Sequence, residues 1–382
     1  MLVRAGRAPR LLVAALALAC GLAVTHLLSA DVWAYAAYGA LLAHGADPWA
    51  HAYRAADVAS LHDPLLDAAL RAWDGSLPRD VYGPLFTMPC ALVAVATRPL
   101  GPDGTVLVLR LLAALGLLAC IALASRTRPQ LATLLAFHPV VLWSAAEGHN
   151  DVFWLALVLA ADRARTTRVR FAALTAAAAL KAIAVVPLIA ALLSVSPRRR
   201  LAAGAVSFLV LAIAYAPLVL SLRNGFDRGA GPPRVALLLA PALAAWSGSP
   251  VPLIVGAVLA LAGIAAVVRA VRGRDVLAGA ALAGWLALPS QEPWYAFWFL
   301  PVVAMAGRTP ASAALLAASF TGLAGYVQDA VPGTALREPA LLGGTMLALY
   351  ALPLLIALVQ PSPQPNAAPS TPPPLATPAP SP

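Results

Sequence analysis

Five short stretches of this chain set titratable, amide or aromatic side chains into otherwise apolar sequence. The first is Asp31-Val32-Trp33-Ala34-Tyr35-Ala36-Ala37-Tyr38-Gly39, followed by Gly45-Ala46-Asp47-Pro48-Trp49. Asp31 stands at the end of an apolar run, at a membrane boundary where water is scarce. Lost water raises a carboxylate's proton affinity and a nearby cation lowers it, and either tuning suits a general base. The structural alternative is a helix cap or an interfacial charge among belt aromatics. The second stretch, Val81-Tyr82-Gly83-Pro84-Leu85, is a turn signal that starts a helix. The third, Glu147-Gly148-His149-Asn150-Asp151, lies inside an apolar run. Each charge held at mid-membrane costs about 2.5–3.5 kcal/mol, so the cluster needs water, partners or a function. His149 can act as acid, base or hydrogen-bond donor, and Glu147 and Asp151 can orient sugar hydroxyls or a metal. No spacing demands a metal, and the bland alternative is a polar loop between two short helices. The fourth is Lys181, the sole lysine beside 25 arginines. A buried ammonium needs anions, either a phosphate or Asp31, Glu147 or Asp151, unless it snorkels from a helix end. The fifth, Gln291-Glu292-Pro293-Trp294-Tyr295-Ala296-Phe297-Trp298, offers Trp and Tyr rings that stack on sugar faces or anchor the interface.

The elements that hold these residues must be membrane helices. Of the 382 residues, 61% are hydrophobic and 11% charged, whereas a soluble domain carries about 25% charged residues. The net charge of +10 comes from short basic clusters between apolar runs. Such clusters hold loops on the cytoplasmic side and leave no surface for nucleic acid. Cys20, Cys90 and Cys120 lie in apolar segments and fit neither a metal site nor a disulfide framework. The run from 11 to 30, behind Arg4, Arg7 and Arg10, is about 20 residues, the length of an uncleaved span rather than of a signal-peptide core.

With the N-terminus cytoplasmic, 31–83 is a first external loop carrying interfacial helices. Segment 84–97 is too short to span comfortably. If it re-enters or lies in the interface, 105–124 crosses inward to Arg126 and Arg128, 131–146 goes out and 152–162 returns to a basic cluster. Segment 171–196 is then a hairpin with Lys181 near its external apex. Helix 201–221 exits to a loop with Arg223, Arg228 and Arg234. Segments 235–246, 251–268, 276–289, 296–306, 311–328 and 340–359 complete an all-α bundle of about 10–13 membrane segments, several short or re-entrant. In this arrangement fourteen of the sixteen acids are external, the two exceptions being Asp162 and Asp275. Residues 1–360 form the transmembrane domain, and 361–382 a disordered Pro-rich cytoplasmic tail.

The ordered set of motifs resembles the polyprenyl-phosphate-dependent glycosyltransferases of the GT-C fold, in particular the bacterial mannosyltransferase-like proteins of family 87. The resemblance rests on Asp31, Tyr35, Tyr38 and Gly39 with Gly45, Pro48 and Trp49, on Tyr82 and Pro84, on Gly148 to Asp151, on Lys181 with Pro187, and on Pro293, Trp294, Tyr295 and Trp298. It spans about residues 11–305. Gly83 departs from it, because those relatives often carry a second proline there.

The resemblance implies transfer of a hexose, mannose above all, from a polyprenyl monophosphate to a lipid-linked glycan, glycolipid or protein on the extracytoplasmic face of the plasma (inner) membrane. Transfer would invert the anomeric carbon, with Asp31 as the base and no nucleotide sugar, and no cofactor is expected. Asp31 and His149 are then the catalytic candidates. The substrate-binding candidates are Tyr35, Tyr82, Glu147, Asn150, Asp151, Lys181, Arg228, Arg234, Glu292, Trp294 and Tyr295. Lys181, Arg223, Arg228 and Arg234 are the cations available to a leaving phosphate. Two rivals compete with this reading. A sugar or lipid transporter or flippase also uses broken helices, and should show inverted repeats, of which none is evident. An inactive scaffold of the same fold would have no need of an intact Asp31 and Gly148–Asp151 set.

Overall fold

The computed structural model describes residues 6–25, 27–221, 251–273, 275–287, 293–306, 309–330 and 351–359. Proline, pre-set for a first helical turn where its missing N–H is not needed, starts many of the helices. After α1 (Arg7–Ala23) and α2 (Asp31–Ala43), a two-residue strand β1 (Tyr53–Arg54) leads into the short α3 (Ala55–Val58). Helix α4 (Pro64–Ala72) precedes β2 (Ser76–Leu77), which pairs antiparallel with β1. Then follow α5 (Pro84–Ala96), α6 (Gly101–Thr127), α7 (Pro129–Phe137), α8 (Pro139–Ala146), α9 (Asp151–Asp162), α10 (Thr167–Leu180), α11 (Val185–Leu193) and α12 (Pro197–Ser221). The C-terminal part contributes α13 (Val251–Arg272), α14 (Val276–Ala287), α15 (Ala296–Ala306) and α16 (Pro310–Ala330), with a helical stretch at 351–359. Apart from the small β1–β2 ladder, the regular structure of the described residues is helical.

Among the described residues two helical segments, Arg98–Thr127 and Pro197–Pro217, are long and apolar enough to cross a membrane. Several others, such as Pro84–Ala96 and Ala296–Ala306, are apolar but shorter. The first expected span is also shorter than its apolar run. Helix α1 stops at Ala23, and the described residues between it and Asp31 are not helical. Segment 131–146 is two half-helices broken at His138, whose extended backbone precedes Pro139, because a residue before proline avoids the helical region. Segment 171–196 is α10 and α11, broken at the extended Lys181. The stretch 31–83 is folded rather than an open loop. Its α2 is enclosed by the core from Val32 to Leu41, as its run of small and aromatic residues allows.

The helix ends fall at distinct levels. Arg128 at the end of α6 bonds Asp162 at the end of α9 (Nε to Oδ2, 3.2 Å). Arg200 at the start of α12 donates to the carbonyls of Leu192, Leu193 and Val195 at the end of α11. This basic end gathers the clusters of arginine. At the other level, Arg110 of α6 donates to Gly21 O at 2.8 Å and Ala146 O at 2.7 Å, so α1 and α8 both terminate beside it. Helices α2 and α5 run side by side in the same direction. At Gly39 a Cβ would sit 2.4 Å from the Cys90 backbone, so only glycine permits this approach. The far ends of α2 and α5 meet the start of α6 around one cavity, lined in part by Ala43, His44, Ala94, Arg98 and Thr105. Helix α5 therefore leaves the Arg110 level away from the basic end.

Among the described residues, one core gathers positions from Ala14 to Ala191 together with Ala296, Phe297 and Leu300. A second, smaller core joins α13, α14, α16 and residues 354 and 357.

Candidate active site

The ends of α1, α8 and α10 and the starts of α2, α5 and α9 converge at the Arg110 level. Asp31 is the first residue of α2 and Asp151 the first of α9, a position where the helix dipole favours an anion. Gly148 makes the turn between α8 and α9 possible. Its φ is +91°, and a Cβ there would stand 2.9 Å from Val32 Cγ2. The turn therefore packs directly against the start of α2. As a result His149 Nδ1 comes to 3.6 Å from Asp31 Oδ2, a contact just beyond hydrogen-bond length. The side chain of Asp31 keeps 22% exposure and that of His149 none. The imidazole stacks on Trp294, with ring centroids 4.0 Å apart and planes at 21°. Among the described residues, neither ring nitrogen of His149 and not Nδ2 of Asn150 has a hydrogen-bond partner, although all three atoms are buried.

Lys181 sits at the break between α10 and α11. Its Nζ donates to Asp151 Oδ2 at 2.8 Å and Asn150 Oδ1 at 3.1 Å. It also lies 5.6 Å from the ring centres of both Tyr82 and Trp298, within range for cation–π attraction. The other oxygen of Asp151 accepts from Trp298 Nε1 at 2.6 Å and Trp154 Nε1 at 3.3 Å. Thus Lys181 finds its anion in Asp151, one of the partners its isolation in the sequence suggests.

Tyr82 is delivered by the turn before α5. Its hydroxyl lies 3.3 Å from that of Tyr35, and both rings meet Phe86 edge-on. A Cβ on Gly83 would fall 2.5 Å from Ala179 O, which brings the turn against the end of α10. Trp49 Nε1 holds the Tyr82 carbonyl at 2.7 Å. This gives the Pro48-Trp49 motif a physical task. Asp80 fixes the same turn by accepting from Tyr82 N at 2.7 Å and from the Thr87 hydroxyl. Burial pushes the Asp80 carboxyl up to about 7, against the lowering pull of these hydrogen bonds.

The structure brings together Asp31, Tyr35, Tyr82, His149, Asn150, Asp151, Lys181, Trp294 and, against Trp298 with centroids 4.1 Å apart, Tyr295. Arg228, Arg234 and Glu292 lie outside the described residues. Glu147 turns to the backbone. Its two oxygens accept the backbone amides of Leu28 (2.9 Å) and Ser29 (2.7 Å), so it faces the α1–α2 connection. The sequence reading passes over Arg110, a lone arginine within the 105–124 span, and Trp73, whose Nε1 holds Ala30 O at 2.8 Å. It also does not single out Trp298 as a site residue. The lone charge within a span is the signal that marks Arg110.

Among the described residues no group of three His, Cys, Asp or Glu side chains is placed to hold a metal. Comparison with curated proteins and with solved structures gives no match. The sequence motifs, and the convergence of their residues on one level, agree with the family comparison. Residues 4–197, just over half of the 382, match the N-terminal domain of the alpha-(1->6)-mannopyranosyltransferases, and the chain belongs to that family of mannosyltransferases.

Proposed function

We propose that this protein transfers mannose from a polyprenyl-phosphate donor to a hydroxyl of a glycolipid or lipid-linked glycan, at the extracytoplasmic face of the plasma membrane. The observation that carries the reading is Asp31: a carboxylate at a helix start, still open to solvent, beside a buried imidazole stacked on an indole.

Asp31 takes the proton of the acceptor hydroxyl as that oxygen attacks C1 of the mannosyl group. The C1–O bond to phosphate breaks, and its electron pair leaves on the phosphate oxygen. The configuration at C1 inverts. Inversion together with the alpha product of the family name requires a beta-linked donor. His149 and Asn150 offer their unpartnered polar atoms to sugar hydroxyls, since a buried polar group gains from any partner it meets. Trp294 and Tyr295 offer ring faces to the sugar. Lys181 keeps 12% exposure and has three N–H bonds to give, two of them used by Asn150 and Asp151. The third is available to the departing phosphate, where a cation meets charge that grows in the transition state. Arg228 and Arg234 are further candidates for the same anion. Asp151 serves the site by holding Lys181, and Glu147 by holding the chain before Asp31.

The basic end, with Arg126, Arg128, Arg163 and Arg200, is the cytoplasmic one. The site then lies toward the opposite face, at half-helix ends that border a wet cavity in a multi-pass bundle. Both termini are cytoplasmic in this arrangement. A lipid donor enters from the bilayer and the polar acceptor from outside.

The reading is tested with purified protein in detergent, a lipid extract and labelled mannose carried either on polyprenyl phosphate or on a nucleoside diphosphate. Transfer from the lipid donor alone, to give an alpha-mannosyl lipid, is expected. Transfer only from the nucleotide donor, or none from either, would remove the reading.

A further inference from the structure

The connection between α1 and α2 carries Asp31 into the site, yet its described residues, 24, 25 and 27–30, hold no helix. A base on an unsupported connection would wander, so something must fix it. Glu147 supplies two acceptors, Oε1 for Leu28 N at 2.9 Å and Oε2 for Ser29 N at 2.7 Å. Ser29 Oγ in turn accepts the Asp31 amide at 3.2 Å. From the other side, Trp73 Nε1 donates to Ala30 O at 2.8 Å.

Glu147 is itself fixed. It ends α8, where Arg110 binds the preceding carbonyl of Ala146 through Nε at 2.7 Å. The same guanidinium reaches Gly21 O at 2.8 Å, at the end of α1. One arginine thus ties together the helix before the connection and the helix that carries Glu147. Gly148, next in sequence, leaves room for Val32 and for the Arg110 side chain, 2.9 and 3.3 Å from where a Cβ would stand.

We infer that Glu147 and Arg110 are positioning residues: an intramembrane carboxylate–guanidinium clamp that sets the α1–α2 connection and so aims Asp31 at the acceptor hydroxyl. Neither side chain touches substrate. This inference rests on the proposed role of Asp31.

Two readouts on the full-length protein in detergent test it. The first is steady-state transfer from polyprenyl-phosphate mannose. Glu147→Ala lowers kcat about 100-fold, the scale of an ångström-size misplacement, with KM for the donor within about threefold of wild type. Glu147→Gln, which keeps one amide acceptor, recovers about tenfold of that loss. Arg110→Met lowers kcat in the same direction. The second readout is hydrogen exchange of a peptide covering residues 24–31, which is protected in wild type and loses protection in Glu147→Ala. A rise in donor KM with kcat unchanged would make Glu147 a substrate contact and overturn the inference. Unchanged kcat and unchanged exchange would also overturn it. If Glu147→Ala does not fold, Glu147→Gln decides the matter through the same two quantities. If wild type shows no transfer, the function proposed above falls, while loss of exchange protection in Glu147→Ala still supports the clamp and its retention still refutes it.

Discussion

Asp31 and Asp151 occupy the same local position, each the first residue of a helix, yet their surroundings differ. Asp151 has no exposed side-chain surface and accepts from Lys181, Trp298 and Trp154. An acid so saturated is unsuited to accept a further proton. Asp31 keeps 22% exposure, and its neighbour His149 has no hydrogen-bond partner among the described residues. The same dipole favours both charges, so the difference lies in what the tertiary structure brings to each. Asp151 receives a cation from α10 and an indole from α15. Asp31 receives a supported backbone and keeps part of its side chain open to solvent. In the proposed mechanism one acid holds the site together and the other reacts.

Substitution of the two acids breaks the comparison most sharply. Asp151→Asn leaves Lys181 without its charge partner, and stability should fall by about 3–5 kcal/mol, the cost of breaking a buried pair. Asp31→Asn removes a charge from a helix start, worth about 0.3–1 kcal/mol. Melting in detergent measures both, and a larger loss for Asp31→Asn would reverse the assignment.

Trp298→Phe is next in size. It removes one hydrogen bond to a charged acceptor and should cost about 1.5–3 kcal/mol. Because residue 298 lies beyond the matched family segment, the melting loss also gauges how firmly the C-terminal part completes the site. A loss below about 0.5 kcal/mol would show that Asp151 does not depend on it.

A pH-dependent effect comes from Asp80, a third acid, buried in the turn that presents Tyr82. Its folded pKa of about 7 lies above the ordinary carboxylate value of 3.8. Between those values the folded state binds more protons than the unfolded state. The associated stability is therefore complete below pH 3.8 and is lost as pH rises through 7. The melting temperature of wild type should drop by a few degrees, on the order of 2–4 °C per kcal/mol, between pH 5 and 8. Asp80→Asn should flatten that slope, and equal slopes in the two proteins would contradict the assignment.

Much of the site was legible because charge inside apolar sequence is expensive and so stands out. Asp31, His149, Asp151, Lys181 and Trp294 announce themselves in this way, and the charge asymmetry puts them on one level, where the structure also has them. The role of Glu147 was not legible. Its partners are backbone amides 118 and 119 residues away, and amides carry no sequence signal. The early end of α1 is hidden because the apolar run continues through Leu27 and Leu28. Arg110 was concealed by an otherwise good span, and Trp49 and Trp73 by the resemblance of any indole near a membrane to a belt residue.

The central claim, that Asp31 is the base, is tested most directly by single-turnover transfer from polyprenyl-phosphate mannose, wild type against Asp31→Asn, with both shown to be folded. The account predicts that the variant is about 10³-fold slower, within the range for loss of a general base, with its melting temperature nearly unchanged. Transfer by Asp31→Asn within threefold of wild type would contradict it.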